Sequence, residues 1–262
     1  MTIDSHFQLS WNEGSWRHAL PATQKRRMVL YSGGQERRNS AIHERLLELA
    51  LRRPSRRRSG EIRMSYVPFV EDGARAYYQR FVRRYQRFGA THFECIAPDR
   101  PELLAKGEAR RQAERTLLES DIIYLSGGNT YTFLHHLRRS GLLQVLDRFA
   151  RRGGVLAGLS AGGILMTPHI GLAGYPDFDR DENEVGLSKR GEKSLGLVNF
   201  EFFPHYRQSA RYRNALQDYS KRTGVPVYAC RDGSGIVIEG DCFTAHGEVW
   251  LFDRGQTLKL NA

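Results

Sequence analysis

Between residues 28 and 159 the chain alternates, five times over, a short apolar run with an amphipathic stretch, and few folds tolerate that rhythm. Met28–Tyr31, Ile62–Val67, Thr91–Ile96, Asp121–Leu125 and Val155–Leu159 read as strands. Between them, Ile42, Leu46, Leu49 and Ala50 recur on one helical face, as do Tyr77, Phe81, Val82 and Tyr85. A repeated strand–helix–strand pattern predicts an α/β domain whose mainly parallel sheet is covered on both faces by right-handed crossovers. Such sheets bind ligands beyond the carboxyl ends of their strands, so the residues that follow each apolar run are the ones to search.

The rhythm loosens after Ser160. Residues 167–197 hold Pro168, Gly171, Gly174, Pro176, Gly186, Gly191 and Gly196 among many charges, and an irregular segment of that length marks a lid or part of a site. Val198–Phe203 then reads as a strand and Ser209–Tyr219 as a helix. Val225–Tyr228, Gly235–Glu239, Cys242–Ala245 and Val249–Phe252 read as closing strands, the last three pairing as antiparallel hairpins. Residues 1–26, which lack periodicity, are expected to form an N-terminal extension packed on a single domain of residues 27–262.

Composition removes several classes of function. The 40 Lys and Arg outnumber 29 Asp and Glu, giving a formal charge of +11, with the densest cluster at Arg52-Arg53-Pro54-Ser55-Arg56-Arg57-Arg58. No RRM or zinc-finger pattern accompanies that charge, so the arginines read as solvated faces and nucleic acid is not an expected partner. No stretch approaches the roughly 18 apolar residues of a membrane span, and the first residues lack the basic start and apolar run of a secretory leader. Cys95, Cys230 and Cys242 show no CxxC spacing, which suits a reducing cytoplasm with each thiol as a small core hydrophobe. His43-Glu44 lacks the rest of an HExxH motif, and neither a metal nor an organic cofactor is expected.

The sharpest local signal is Val155-Leu156-Ala157-Gly158-Leu159-Ser160-Ala161-Gly162-Gly163, an apolar strand running into a G-x-S-x-G turn. A strained strand-to-helix corner of this kind lifts a serine hydroxyl above the sheet, and small flanking residues let the backbone turn sharply. The bland alternative is a glycine-rich turn that happens to contain serine. A second glycine turn, Ser126-Gly127-Gly128-Asn129-Thr130, follows the strand Asp121–Leu125; it either brings a backbone N–H beside Ser160 or is a plain tight turn that caps the next helix. Serine needs a base to take its proton. His205, just beyond the strand Val198–Phe203 and Pro204, is the positional candidate, and His169, close after the serine turn, is its rival.

Gly127-Gly128-Asn129-Thr130, Gly158-Leu159-Ser160-Ala161-Gly162-Gly163 and Phe202-Phe203-Pro204-His205-Tyr206, in that order over residues 27–253, resemble the peptidase E family, the aspartyl dipeptidase group of serine peptidases that also includes cyanophycinase. The resemblance implies a class I glutamine amidotransferase-like three-layer sandwich in which serine replaces the usual cysteine. It implies Ser160 as nucleophile, His205 as base, and Gly128 with Ala161 as donors of oxyanion N–H groups. For the triad acid, Asp177 is the nearest positional match, with Asp179, Asp181, Glu182 and Glu184 crowded behind it; cyanophycinase-like members use a glutamate. Arg211, with Arg207 and Arg213 close by, is the implied ligand for an acidic substrate side chain. The expected activity is hydrolysis of short peptides, Asp-X dipeptides first, through an acyl-enzyme. A cyanophycinase-like or other amide hydrolase is the alternative within the fold, and a catalytically silent binding protein with a basic surface is the alternative outside it.

Overall fold

The computed structural model describes residues 10–12, 15–17, 26–34, 36–52 and 61–260. The basic cluster from Arg53 to Arg58 therefore lies outside the described residues. The strands are β1 (Ser10–Asn12), β2 (Ser15–Arg17), β3 (Arg27–Tyr31), β4 (Arg63–Val67), β5 (His92–Cys95), β6 (Ile122–Leu125), β7 (Val155–Leu159), β8 (Glu201–Phe203), β9 (Val227–Cys230), β10 (Gly235–Glu239), β11 (Cys242–His246), β12 (Val249–Asp253) and β13 (Gln256–Leu260). The helices are α1 (Ser40–Leu51), α2 (Ala74–Arg87), α3 (Pro101–Leu104), α4 (Glu108–Glu119), α5 (Thr130–Arg139), α6 (Leu142–Arg151), α7 (Ala161–Ile164) and α8 (Ala210–Thr223).

One sheet runs β1-β2-β11-β10-β3-β7-β6-β4-β5. Its β3, β7, β6, β4 and β5 are parallel, and β10, β11, β2 and β1 continue it in antiparallel pairing. Side chains alternate across the central strands as the two-residue period requires. Met28, Leu30, Ile123, Leu125 and Leu156 enter one core with α4, α5 and α6. Val29, Tyr31, Ile122, Tyr124, Val155 and Ala157 enter the other with α1 and α2. Burial on both faces explains why these strands read as unbroken apolar runs rather than as alternating ones. The result is the three-layer α/β arrangement expected of the sequence.

A second sheet, β13-β12-β9-β8, stands apart from the first. Here the expectation that the last three strands pair in consecutive hairpins is corrected. β10 and β11 do form a hairpin, but β12 leaves that sheet to pair with β9 and with β13, a strand the sequence analysis missed. Trp250 and Phe252 on β12 pack with Tyr206, Tyr212 and Leu216 in a third apolar cluster, and that burial decides where β12 goes. In this sheet β8 and β9 are parallel, with Phe203 opposite Ala229, so both strands end at the same edge. The expected strand Val198–Phe203 is ordered as β structure only over its last three residues, Glu201–Phe203. Of the cysteines, Cys230 is buried, Cys95 is partly covered and Cys242 is exposed, so the last is not the core residue expected. Among the described residues no helix is long and apolar enough to cross a membrane.

Candidate active site

The carboxyl ends of β3, β6 and β7 lie side by side, and each leads into a turn of small residues. After β7, Ser160 adopts φ 50° and ψ −111°, a conformation that non-glycine residues rarely hold. Its N–H donates to Tyr31 O at 2.9 Å, so the corner is pinned to the neighbouring strand. The turn needs glycine at both outer positions because backbones touch there. A Cβ on Gly158 would lie 2.3 Å from the Gly162 carbonyl carbon, and one on Gly162 would lie 2.5 Å from Leu125 O. The helix beyond the corner is a single turn, α7, in which Gly162 N–H is taken by Ser126 O and Gly163 N–H by Ser160 O.

His205 comes from the other sheet, just past β8, and also has a positive φ, 56°. Its Nε2 lies 2.9 Å from Ser160 Oγ. Its Nδ1 lies 2.7 Å from Oδ1 of Asp232, which stands just past β9. The parallel pairing of β8 with β9 brings these two together, and Tyr206 N–H donates to Cys230 O at 2.9 Å across the same edge. Ser32, fully buried after β3, ties the pair to the first sheet: it accepts from His205 N–H at 2.6 Å and donates to Asp232 Oδ1 at 3.1 Å. Gly33 and Gly34 follow it with φ of 134° and 94° and leave room for the pair. A Cβ on Gly33 would stand 3.2 Å from the His205 ring, and one on Gly34 would stand 2.9 Å from Asp232 Cβ.

Asp177 is thus not the carboxylate beside the histidine. Its side chain is 88% exposed and pairs with Arg180 at 3.4 Å. Asp179 and Asp181 behind it tie the irregular segment to the helices instead. Asp181 accepts from Thr130 N–H at 2.7 Å at the start of α5, where a carboxylate satisfies an otherwise open helix-end donor. Asn129 Nδ2 donates to Glu182 O at 2.8 Å, and Tyr212 donates to Asp179 at 2.6 Å. Burial and Asp179 together push the Tyr212 hydroxyl up to about 12, so it remains a proton donor. Glu182 pairs with Arg180, and Glu184 is exposed. His169, the rival base, is exposed and bridges to Lys193 through its backbone.

Arg211 is also displaced from its expected role. It lies on the outer side of α8 with its guanidinium 3.5 Å from the centre of the Phe178 ring, a cation–π stack outside the cleft. The arginines that do line the cleft are Arg38, Arg180, Arg207 and Arg231. Arg180 and Arg231 are engaged by Asp177, Glu182 and Glu248, whereas among the described residues neither Arg38 nor Arg207 pairs with a carboxylate. This polar cleft, about 400 Å³, has Asp179, Asp181, Leu172 and Ala173 of the irregular segment in its wall. A second, apolar cleft of about 500 Å³ holds Gly127 and Gly128. Among the described residues no group of three or more His, Cys, Asp or Glu side chains is arranged to hold a metal ion.

A hydroxyl, an imidazole and a carboxylate hydrogen-bonded in series can shift a proton from the first to the second while the third fixes the ring's orientation. The sequence pattern of peptidase family S51 matches residues 28–246. The chain belongs to that family of serine peptidases. It is 30% identical over 148 residues to peptidase E of Streptomyces coelicolor, covering 52% of this chain and 57% of that protein. It is 27% identical over 177 residues to the uncharacterized peptidase YgaJ of Bacillus subtilis, covering 66% and 68%. It is 27% identical over 143 residues to a probable alpha-aspartyl dipeptidase of Drosophila melanogaster, covering 49% and 54%. The chain thus spans between about half and two thirds of the length of these curated relatives. Among solved structures, a putative peptidase E protein from Listeria monocytogenes EGD-e superposes with a TM-score of 0.58 at 18% identity, over 90% of this chain and 99% of that one. A peptidase from an acI-B1 Actinobacterium superposes with a TM-score of 0.62 at 17% identity, over 92% and 96%. The S51 family fold is therefore shared along nearly the whole chain.

Proposed function

We propose that this S51 family member is a serine peptidase that cleaves short peptides through an acyl-enzyme, with Ser160 as nucleophile, His205 as base and Asp232 as the carboxylate that orients it. The observation that carries this reading is the pair of hydrogen bonds on His205, 2.9 Å to Ser160 Oγ and 2.7 Å to Asp232 Oδ1. His205 takes the serine proton as Oγ attacks the peptide carbonyl, then returns it to the leaving amine. Asp232 holds Nδ1 protonated and stabilises the imidazolium that forms. The backbone N–H groups of Gly128 and Ala161 are the donors for the developing oxyanion. Water attacks the acyl-enzyme by the same proton relay and releases the acid product.

An acidic residue on the acyl side, as in Asp-X dipeptides, is the substrate we favour. Arg38 and Arg207 support it, because a guanidinium in the cleft wall that pairs with no carboxylate among the described residues matches a substrate carboxylate by its forked donors. The test is turnover of Asp-X, Asn-X and Ala-X dipeptides, with the Ser160→Ala protein as control. Fast cleavage of Asp-X alone is expected. Equal rates on all three would remove the acidic preference and favour a broader amide hydrolase.

A further inference from the structure

Among the described residues the polar and apolar clefts share two lining residues, Ser160 and His205. A peptide whose scissile carbonyl sits on Ser160 therefore has one neighbouring residue in each. The apolar cleft is walled by Tyr66, Phe69, Val70, Tyr77 and Leu159, and among the described residues its lining holds no Lys or Arg. Asp72 is the acidic side chain in its described lining. Its wall is fixed to the glycine turn. Phe69 N–H donates to Ser126 Oγ at 3.0 Å, and that hydroxyl donates to Gly127 O at 2.7 Å. The Phe69 ring lies directly over Gly128, where a Cβ would come within 2.3 Å of it. Below, Tyr66 stacks on Tyr124, with ring centres 5.7 Å apart and planes 17° apart. At the rim Tyr77 is 63% exposed, with the Arg80 guanidinium 5.7 Å from its ring centre.

We infer that this cleft is the subsite for a bulky apolar or aromatic residue across the scissile bond from the arginine-lined cleft, and that Asp72 makes it reject a second acid. The inference rests on the serine peptidase reading above and adds what selects the second residue. Enclosing an aromatic or branched aliphatic side chain between Phe69, Val70 and Tyr77 removes apolar surface from water, whereas an alanine methyl fills little of the space. A carboxylate placed there meets Asp72 inside the cleft, where the described lining has no Lys or Arg and Arg80 stands only at the rim over Tyr77.

The test compares kcat/KM for Asp-Phe, Asp-Leu, Asp-Ala and Asp-Asp. Asp-Phe and Asp-Leu are expected to exceed Asp-Ala by about ten- to a hundredfold, with Asp-Asp below Asp-Ala. Tyr77→Ser and Val70→Asp should narrow the Asp-Phe to Asp-Ala ratio, and Asp72→Ser should raise Asp-Asp relative to Asp-Ala. Equal rates on Asp-Phe and Asp-Ala, or a ratio unmoved by both wall substitutions, would overturn the subsite while leaving the peptidase reading intact. A second readout needs no peptide: labelling of Ser160 by a phosphonofluoridate carrying a phenethyl arm should outpace its methyl counterpart by about tenfold, and equal labelling counts against the subsite. No turnover together with no labelling by either reagent would instead overturn the serine peptidase reading, and this subsite with it.

Discussion

The Ser32 hydroxyl lies 3.1 Å from Asp232 Oδ1 and accepts the His205 N–H at 2.6 Å, so one buried side chain from the first sheet holds both residues that the second sheet contributes. Ser32→Ala removes both bonds without opening much space. A hydrogen bond to a charged group contributes about 1.5–3 kcal/mol, and each 1.4 kcal/mol in the barrier is about tenfold in rate. The variant should lose about ten- to a hundredfold in kcat while Ser32→Thr keeps part of it. Steady-state kinetics beside a urea unfolding curve will separate this from simple loss of fold.

Asp232→Asn is expected to lower kcat by about 10⁴-fold, because an amide beside Nδ1 favours the wrong tautomer. Asp177→Asn should stay within about twofold of the parent, since its carboxylate is solvated and makes a surface pair. Measuring both on one dipeptide decides between them. A disabled Asp177→Asn enzyme beside an active Asp232→Asn enzyme would return the role to the irregular segment.

Ser160→Ala and His205→Ala should each cost about four or more orders of magnitude in kcat, and the double variant should cost little more than either, because the two act as one unit. Additive losses would argue against a shared proton relay. Active-site titration will guard against trace contamination by the parent enzyme.

Stability should depend on pH through Glu201. It is nearly buried on β8, accepts from the Tyr219 hydroxyl at 2.7 Å, and is pushed up to about 7 by burial, with the Glu192 carboxylate adding to the rise. Below pH 4.5 the carboxyl is protonated whether the chain is folded or not, and no penalty exists. As the pH climbs towards 7 the unfolded chain sheds a proton that the folded one retains, so stability falls, and above 7 the loss levels off at about 3 kcal/mol. Glu201→Gln keeps the tyrosine bond and should stabilise the protein at pH 8 but not at pH 4.5. Denaturant midpoints at the two pH values provide the measurement.

Much of the architecture was legible because both faces of the central strands are buried, which turns β3, β6 and β7 into apolar runs that stand out from the amphipathic helices. Ser160 and His205 were legible as candidates for a related reason: each follows a strand at the edge where both sheets end. Asp232 was not. It stands 27 residues beyond His205 in Arg231-Asp232-Gly233-Ser234, a sequence that reads as an ordinary turn. Only the parallel pairing of β8 with β9, a contact between distant segments, puts it beside the imidazole. The cue available in the sequence was an acid closely following the apolar run Val227–Cys230. The assignment of Arg211 rests on the family resemblance, which carries no information on helical phase. Tyr212 and Leu216 form the inward face of α8, which turns Arg211 outward onto Phe178.

That Ser160 and the two residues proposed to activate it arise from different sheets bears on how the protein is made. Synthesis delivers β7 and Ser160 first, while His205 and Asp232 lie 45 and 72 residues further along. A nascent chain that has emerged only as far as the irregular segment carries the strained corner but no base, and its hydroxyl is as unreactive as any free serine. The proposed relay is complete only when β8 and β9 pair and dock against the Ser32 turn. On the proposed relay the chain is its own zymogen during translation, with latency set by the order of its strands rather than by a segment that must be cut away.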